Sequence, residues 1–451
     1  MISGDTIAAI ATALGRGGVA IVRVSGPEAF AIAKKLTGCA VALAMVQFAR
    51  LRGLKSSVSR PAPEDGRQKT EDVIDEGIVL AFKSPRSYTG EDVVEFQCHG
   101  GAVTPRRVLE ACLAAGARLA RRGEFTERAF LNGKLDYGQA ESVLDLVDAK
   151  TARAADAALE GLSGRRRRAL RTLYETALDL SVRLEHALDI DEGELPADFL
   201  PSVASSVSRL KSSLRDAVRR SAEGRLLRSG ALVVLAGPPN AGKSSLMNAL
   251  LEENRAIVSD APGTTRDSIE AWLDLAGWPV RLIDTAGLRE TNDEVEGEGV
   301  KRAEDLIARA DVVVWLSVSS APNSHYSFLT PNSSFIIHPK CDLGRGEGLN
   351  VSAKSGEGLD ELKRAIVAKL EERVAASDSG DVPEGDVVAL QEALALLGGG
   401  GCVTRDVRRE EDLVLLANAV RAAAERLGTA VGATYSADML DNLFSRFCVG
   451  K

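Results

Sequence analysis

Ala231-Leu232-Val233-Val234-Leu235-Ala236, running directly into Gly237-Pro238-Pro239-Asn240-Ala241-Gly242-Lys243-Ser244, decides how this chain is read. The first six residues are an apolar run of strand length, and Ser245 to Leu251 continues as a helix. Strand, glycine-rich turn and helix in that order is the context a phosphate-binding P-loop requires. The glycines let backbone amides turn toward phosphate oxygens at a helix N-terminus. Lys243 is expected at the β- and γ-phosphate oxygens, and the Ser244 hydroxyl on magnesium. Nucleotide contacts are therefore expected along Asn240, Ala241, Gly242, Lys243, Ser244 and Ser245.

Three more motifs follow in the order of a G domain. Gly263-Thr264-Thr265-Arg266-Asp267 stands where a first switch loop belongs, with Thr265 the second hydroxyl ligand for magnesium. Leu282-Ile283-Asp284-Thr285-Ala286-Gly287 is a strand ending in Asp-x-x-Gly, where Asp284 holds the magnesium shell and the Gly287 amide senses the γ-phosphate. Val351-Ser352-Ala353-Lys354 has the form of the last guanine-contacting loop. A lone P-loop match is weak evidence, but four motifs in sequence predict a GTP-binding hydrolase.

Two positions depart from the usual pattern. The guanine-specificity loop is ordinarily Asn-Lys-x-Asp, yet here it reads His338-Pro339-Lys340-Cys341-Asp342. Asp342 can still accept from guanine N1 and N2 and the Lys340 stem can still cover the base, but Pro339 has no amide with which to brace the loop. After Gly287 stands Leu288 in place of the glutamine that orients the attacking water in small signalling GTPases. Another acid or amide is then needed, and the stretch Glu290 to Glu298 offers candidates. No arginine finger is evident. A cation beside the phosphates is the other means of neutralising developing charge, and Asn240 is well placed to help hold one.

Working outward, 451 residues predict two to four domains. Hydrophobic content of 45% with 27% charged residues argues against disorder, and a net charge of −8 disfavours a generic polyanion binder. Six scattered cysteines without a CxxC pair read as reduced thiols, and four histidines make a His-based zinc site unfavourable. The N-terminus lacks a signal-peptide pattern and the longest apolar runs are far short of the roughly 20 residues of a membrane span. A cytoplasmic protein with no membrane association is expected.

Residues 1–135 mix β-rich runs, such as Val19 to Val24 and Val93 to Phe96, with glycine-rich turns, an α/β pattern. Ser56 to Thr70 reads as an exposed loop. Residues 136–228 become helical, with Leu173, Ala177, Leu180, Leu184 and Leu188 at helical spacing. The run Arg165 to Arg168 reads as a solvated helix face before it reads as an RNA contact. Residues 229–376 alternate strands and helices, which predicts a parallel sheet with crossover helices. Ser377 to Asp381 is a linker, and 377–451 returns to helix, broken at the glycines 398–401. The expected architecture is multidomain: an α/β N-terminal domain, an all-α helical domain, and a P-loop α/β G domain inserted into it.

From end to end the chain resembles the tRNA-modification GTPase family MnmE, also called TrmE. The resemblance is carried by Asp5 to Ala9 with Gly15 to Gly26, by Ser87 to Glu95 with His99-Gly100-Gly101, and by Gly123-Glu124-Phe125-Thr126-Glu127-Arg128-Ala129-Phe130-Leu131-Asn132-Gly133-Lys134-Leu135-Asp136. It ends on Phe447-Cys448-Val449-Gly450-Lys451. It implies an N-terminal domain that dimerises and binds a tetrahydrofolate derivative (5-formyl- or methylene-tetrahydrofolate), with Arg23, Glu95, Lys134 and Lys451 lining that site. It implies potassium held through Asn240, Ser259, Ala261 and Thr264, magnesium through Ser244 and Thr265, and Glu296 as the water-orienting acid. Ser259, Asp260, Ala261, Pro262, Thr285, Ala286, Pro339, Lys340, Asp342, Ser352, Ala353 and Lys354 complete the implied GTP contacts. Cys448 is a candidate nucleophile for uridine C6, beside its plainer reading as a packing thiol.

The resemblance further implies a homodimer that joins a flavoprotein, MnmG or GidA, in a heterotetramer, with FAD on that partner only. Together they would add an aminomethyl-type group (cmnm5 or nm5) to C5 of the wobble uridine, position 34, of certain tRNAs. GTP hydrolysis would drive G-domain dimerisation and a conformational cycle. A competing reading, a GTP-switched ribosome-assembly factor, shares the G domain but appends a small RNA-binding domain instead of these flanks. Ala13-Leu14, Arg122 and the Ser/Pro-rich stretch from Ser317 to Ser334 depart from the family pattern in loops.

Overall fold

The computed structural model describes residues 4–13, 15–43, 45–53, 73–190, 195–253, 270–285, 296–317, 334–346, 348–376, 385–398, 410–431, 440 and 443–451. It divides into two compact units, one of residues 1–144 with 434–451, the other of 145–433. The expected loop Ser56 to Thr70 and the linker Ser377 to Asp381 lie outside the described residues.

The first unit is built on six strands: β1 (Ile7–Ile10), β2 (Val19–Ser25), β3 (Gln47–Arg52), β4 (Val73–Phe82), β5 (Val93–His99) and β6 (Arg118–Leu119). They lie in the order β3-β4-β5-β2-β1-β6, antiparallel except for the β1–β6 pair. Alternation sets the faces: Ala20, Val22 and Val24 are buried while Arg23 between them lies on the opposite face. Helices α1 (Ala29–Thr37) and α2 (Thr104–Ala114) supply Ile32, Leu36, Val108 and Cys112 to the core under that sheet.

Helix α3 (Glu124–Leu131) lies within one of the two segments most specific for the family resemblance, and two of its charges, Glu124 and Arg128, are buried. Arg128, only 3% exposed, donates to the Asp5 carbonyl, the Asp5 carboxylate, and both Glu91 oxygens. Glu124, 2% exposed, accepts from Arg128, from both Arg118 guanidinium nitrogens at 2.7 and 3.0 Å, and from the Arg121 amide. Burial alone would raise the Glu124 pKa. Arg118, the Arg121 amide and Arg128 outweigh burial and hold it at about 2, against an ordinary 4.5.

The last residues close this unit. Helix α4 (Tyr137–Asp148) and α3 present Ala140, Leu144 and Phe130, on which Leu443, Phe444 and Phe447 pack. Val449 bridges Arg122, and the Gly123 amide donates to the Cys448 carbonyl. Gly450 has φ 105° and lies so close to the Ile10 carbonyl that no β-carbon would fit.

In the second unit, α5 (Ala152–Leu162), α6 (Arg165–Leu188) and α7 (Phe199–Ser229) precede the G-domain sheet. That sheet comprises β7 (Ala231–Ala236), β8 (Glu270–Leu275), β9 (Trp278–Asp284), β10 (Val312–Leu316), β11 (Ser334–Pro339) and β12 (Leu349–Val351). Helices α8 (Lys243–Glu253), α9 (Glu296–Arg309) and α10 (Leu359–Ala375) accompany it, and α11 (Gly385–Gly398) and α12 (Glu410–Val431) follow. One apolar core joins α6, α7, α11 and α12, although the G-domain sheet lies between α7 and α11 in chain order, with Leu173, Ala177, Leu180 and Leu184 on its buried stripe. Leu188 is only partly buried against it. Helix α11 stops at Gly398, the first of the four glycines.

The sheet order is β12-β11-β10-β7-β9-β8, parallel except that β8 runs antiparallel to β9. The all-parallel expectation fails at this edge because Ala276 (φ 51°) and Gly277 (φ 86°) make a two-residue turn with both φ values positive, the geometry of a tight hairpin. Thr151, the N-cap of α5, donates its hydroxyl to the Gly277 carbonyl at 2.7 Å, and Arg153 lies over the Trp278 ring at 4.1 Å.

A second tie stands at the foot of β7. Asp311, 5% exposed, accepts the Leu232 amide at 2.9 Å, Arg225 of α7 at 3.3 Å, and pairs with Arg373 of α10 at 3.2 Å. Strand β7 is thereby fixed to the helical body at one end and free to present its other end to a ligand. Among the described residues no helix is long and apolar enough to cross a membrane.

Because the Glu124 pKa is lowered on folding, its contribution is complete above pH 4.5 and drains as pH falls toward 2. Glu124→Gln is expected to destabilise the first unit by about 3 kcal/mol at neutral pH and to flatten that acid limb. Urea unfolding followed from pH 7 to pH 2 measures both, and an acid limb unchanged by the substitution would refute the assignment.

Candidate functional site

All six residues of β7 are buried, so the strand is a fixed rod in mid-sheet and its C-terminal turn is held in place. Gly237 leaves it at φ 147°, where a β-carbon would strike the Leu316 carbonyl. Asn240 and Gly242 also have positive φ, 61° and 95°. The turn closes through the Ala241 amide on the Pro238 carbonyl at 3.3 Å, and α8 begins with the Leu246 amide on the Gly242 carbonyl at 2.9 Å. Lys243 curls back over the loop, its ammonium donating to the Gly237 and Pro238 carbonyls at 3.0 and 2.9 Å. A phosphate at this helix N-terminus would meet turned amides and that ammonium together.

The second motif is docked against the first. Thr285 donates both its hydroxyl and its amide to the Leu235 carbonyl, at 3.0 and 3.3 Å. The Ser244 hydroxyl donates to the Asp284 carboxylate, which is 5% exposed. A hydroxyl and a carboxylate meeting beside the P-loop are hard oxygen donors of the kind magnesium takes, so the residues fit the ion. Ser259, Asp260, Ala261, Pro262, Gly263, Thr264, Thr265, Ala286 and Gly287 lie outside the described residues, as does Leu288. Glu296 opens α9, and its side chain is likewise outside the description.

Beside the P-loop is a cleft of about 290 Å³, lined by Gly242, Ser245 and Leu246 on one side and by Pro339, Lys340, Asp342, Leu343, Ser352, Ala353 and Lys354 on the other. Lys340 (φ 58°) reaches across and donates to the Asn240 carbonyl at 2.8 Å, joining the base-reading loop to the P-loop. Fully buried Ser352 donates its hydroxyl to Asp342 at 2.6 Å. That hydrogen bond, with Lys354 and Lys340 nearby, lowers the Asp342 pKa. Pro339 pairs with Val351 in the sheet, and the Cys341 amide donates to the Val351 carbonyl. The loop is therefore braced by β12 and by Lys340, without an amide at position 339. The hydroxyl that orients Asp342 and the wall formed by Leu343, 82% exposed, were not legible as such in the motifs.

In the first unit, Arg23 and Glu95 face each other across β2 and β5 and form a 2.8 Å ion pair, each less than a fifth exposed. The Arg23 guanidinium lies over Tyr88 at 5.3 Å and Phe125 at 5.6 Å, two rings that spacing alone does not reveal. Lys134 donates to the Pro85 carbonyl at 3.2 Å, in the loop that also carries Tyr88. Lys451 follows Gly450 against the end of β1, and the Lys451 amide bonds the Cys448 carbonyl. Cys448 itself is exposed and lies outside any helix. In the Arg165 to Arg168 run, Arg165 is exposed and pairs with Glu160 at 3.0 Å, as a solvated helix face does.

Residues 6–134 match the family described as the GTP-binding protein TrmE N-terminus, and residues 138–448 match the MnmE helical domain. The tRNA modification GTPase MnmE of Symbiobacterium thermophilum is 40% identical over 469 residues, covering 99% of each chain. That of Nitrosomonas europaea is 39% identical over 473 residues, covering all of both. Among solved structures, the G domain of the T. maritima FeoB iron transporter aligns with 31% of this chain and 98% of its own, at 26% identity and a TM-score of 0.23.

Ser352→Ala removes the donor that orients Asp342. Guanine-nucleotide affinity is expected to fall about tenfold, the effect of one hydrogen bond to a charged group, with melting temperature little changed. Titration calorimetry with GDP checks it, and unaltered affinity would show that Asp342 needs no such support.

Proposed function

The chain belongs to the MnmE family of tRNA modification GTPases, and from that premise we propose that its GTP hydrolysis serves the addition of an aminomethyl-type group to C5 of the wobble uridine, position 34. The observation that carries this is the pairing of a P-loop and base cleft in one part of the chain with a separate charged and aromatic cluster around Arg23 in another. A hydrolase that only switched would need the first alone.

In this reading Lys243 and the P-loop amides bind the phosphates, while Asp342 selects guanine. Ser244 and Asp284, with Thr265, would hold magnesium, which would supply charge neutralisation at the β- and γ-phosphates. Asn240 with Ser259, Ala261 and Thr264 would hold potassium in place of an arginine finger, and Glu296 would orient water where Leu288 cannot. The domain division at 135, 228 and 376 makes the G domain an insertion whose motion is passed to the helical body through α7.

Arg23, Glu95, Lys134 and Lys451 are proposed to bind a reduced folate, the one-carbon donor. A guanidinium backed by Tyr88 and Phe125 and paired with a carboxylate suits a flat, polyanionic ligand with an amino group to donate. Cys448, exposed on the same terminal segment, is proposed as the candidate nucleophile for uridine C6. A homodimer, a flavoprotein partner bearing FAD, and cytoplasmic tRNA complete the proposal. The assembly-factor alternative has no observation in its favour.

Mass spectrometry of wobble uridine in tRNA from cells lacking this chain is expected to show loss of the C5 modification, and an unchanged profile would sink the proposal. GTP turnover is expected to rise severalfold when sodium is replaced by potassium, while equal rates in the two salts would remove the cation site. Arg23→Ala is expected to abolish calorimetric binding of 5-formyltetrahydrofolate, and retained binding would move that site elsewhere.

A further inference from the structure

Guanine has two edges of opposite character: N1–H and the 2-amino group donate, whereas N7 and O6 accept. In the cleft beside the P-loop, the Asp342 carboxylate is oriented and charged for the donating edge. At position 339 the chain departs from Asn-Lys-x-Asp. Position 339, where the pattern carries a carboxamide, is a buried proline that lines the cleft and has neither a side-chain donor nor an N–H.

Two of the side-chain donors that line the cleft are occupied. The Lys340 ammonium is held at 2.8 Å by the Asn240 carbonyl, and the Ser352 hydroxyl is given at 2.6 Å to Asp342. The loop's stability does not depend on position 339 donating, since β12 and Lys340 brace it.

We propose that this chain recognises guanine without reading N7: Asp342 carries the base selection, and Pro339 presents an apolar wall to the N7 side of the ring. An acceptor brought against such a wall loses water and gains no donor, so a base with C–H at position 7 loses nothing by the exchange. Pro339 is thus a specificity-determining residue, and it admits guanine nucleotides altered at N7. The proposal rests on the guanine-nucleotide reading of the cleft.

The test is calorimetric titration of the full chain with GDP, 7-deaza-GDP and ADP, repeated on Pro339→Asn and Pro339→Ala. In the unsubstituted chain 7-deaza-GDP is expected to bind as tightly as GDP or tighter, with ADP far weaker. Pro339→Asn is expected to make 7-deaza-GDP about fivefold to tenfold weaker than GDP, and Pro339→Ala to leave the two equal. A fivefold preference for GDP over 7-deaza-GDP in the unsubstituted chain would overturn the proposal, whether or not Pro339→Asn folds. So would a Pro339→Asn protein that still binds the two alike. If ADP binds as well as GDP, the guanine reading falls first and takes the proposal with it.

Discussion

Strand β7 is buried along its whole length and held at its foot by one carboxylate, and the nucleotide site inherits its geometry from that constraint. Asp311 takes the Leu232 amide, a guanidinium from α7 and another from α10. Removing that carboxylate would take the acceptor from the buried Leu232 amide and a counter-charge from two guanidiniums at once. From that fixed point the strand rises about 17 Å at the pitch of a β-strand and releases Gly237 into the P-loop. The neighbouring strand β9 is registered against it, so Asp284 arrives beside Ser244 by sheet geometry and not by a flexible loop. Phosphate and ion chemistry are thus set by a sheet whose other end is joined to the helical body.

The first unit solves a different problem with similar means. Its sheet packs an apolar face on α1 and α2, but α3 buries Glu124 and Arg128 among Asp5, Glu91 and Arg118. The network joins the N-terminal strand to the loop before β5 and to α3. That loop, carrying Tyr88, and α3, carrying Phe125, are the two supports under Arg23. A cluster that reads as a ligand shelf is therefore held by ion pairs lying behind it.

The G-domain motifs were legible because each is local: a glycine-rich turn after an apolar strand, an acid at a strand end, an acid in a loop. The helical stripe of α6 was legible for the same reason, since its period lies within one element. What escaped depended on residues far apart in the chain. Nothing near Asp311 announces Arg225 or Arg373, and nothing near Ser352 announces that its hydroxyl serves Asp342. The antiparallel edge at β8 had a local signal in Asp274-Leu275-Ala276-Gly277, a turn sequence with an acid that caps the Gly277 amide at 2.7 Å. It was outweighed by the strand–helix alternation around it. Pro339 was legible as a departure, but only the cleft reveals that the loop stands without an amide there.

The packing of Phe444 and Phe447 onto α3 and α4 has a consequence in time. On a ribosome adding 5–20 residues per second, residue 443 emerges roughly 15–60 s after residue 144. Through that interval Phe130, Ala140 and Leu144 wait without the aromatic pair that covers them, and Ile10 without Gly450. The inserted G domain and the helices around it are synthesised in the meantime. Maturation of the first unit is therefore a late event, set by the length of everything that lies between its two parts, and a nascent chain carries an apolar surface for most of its synthesis.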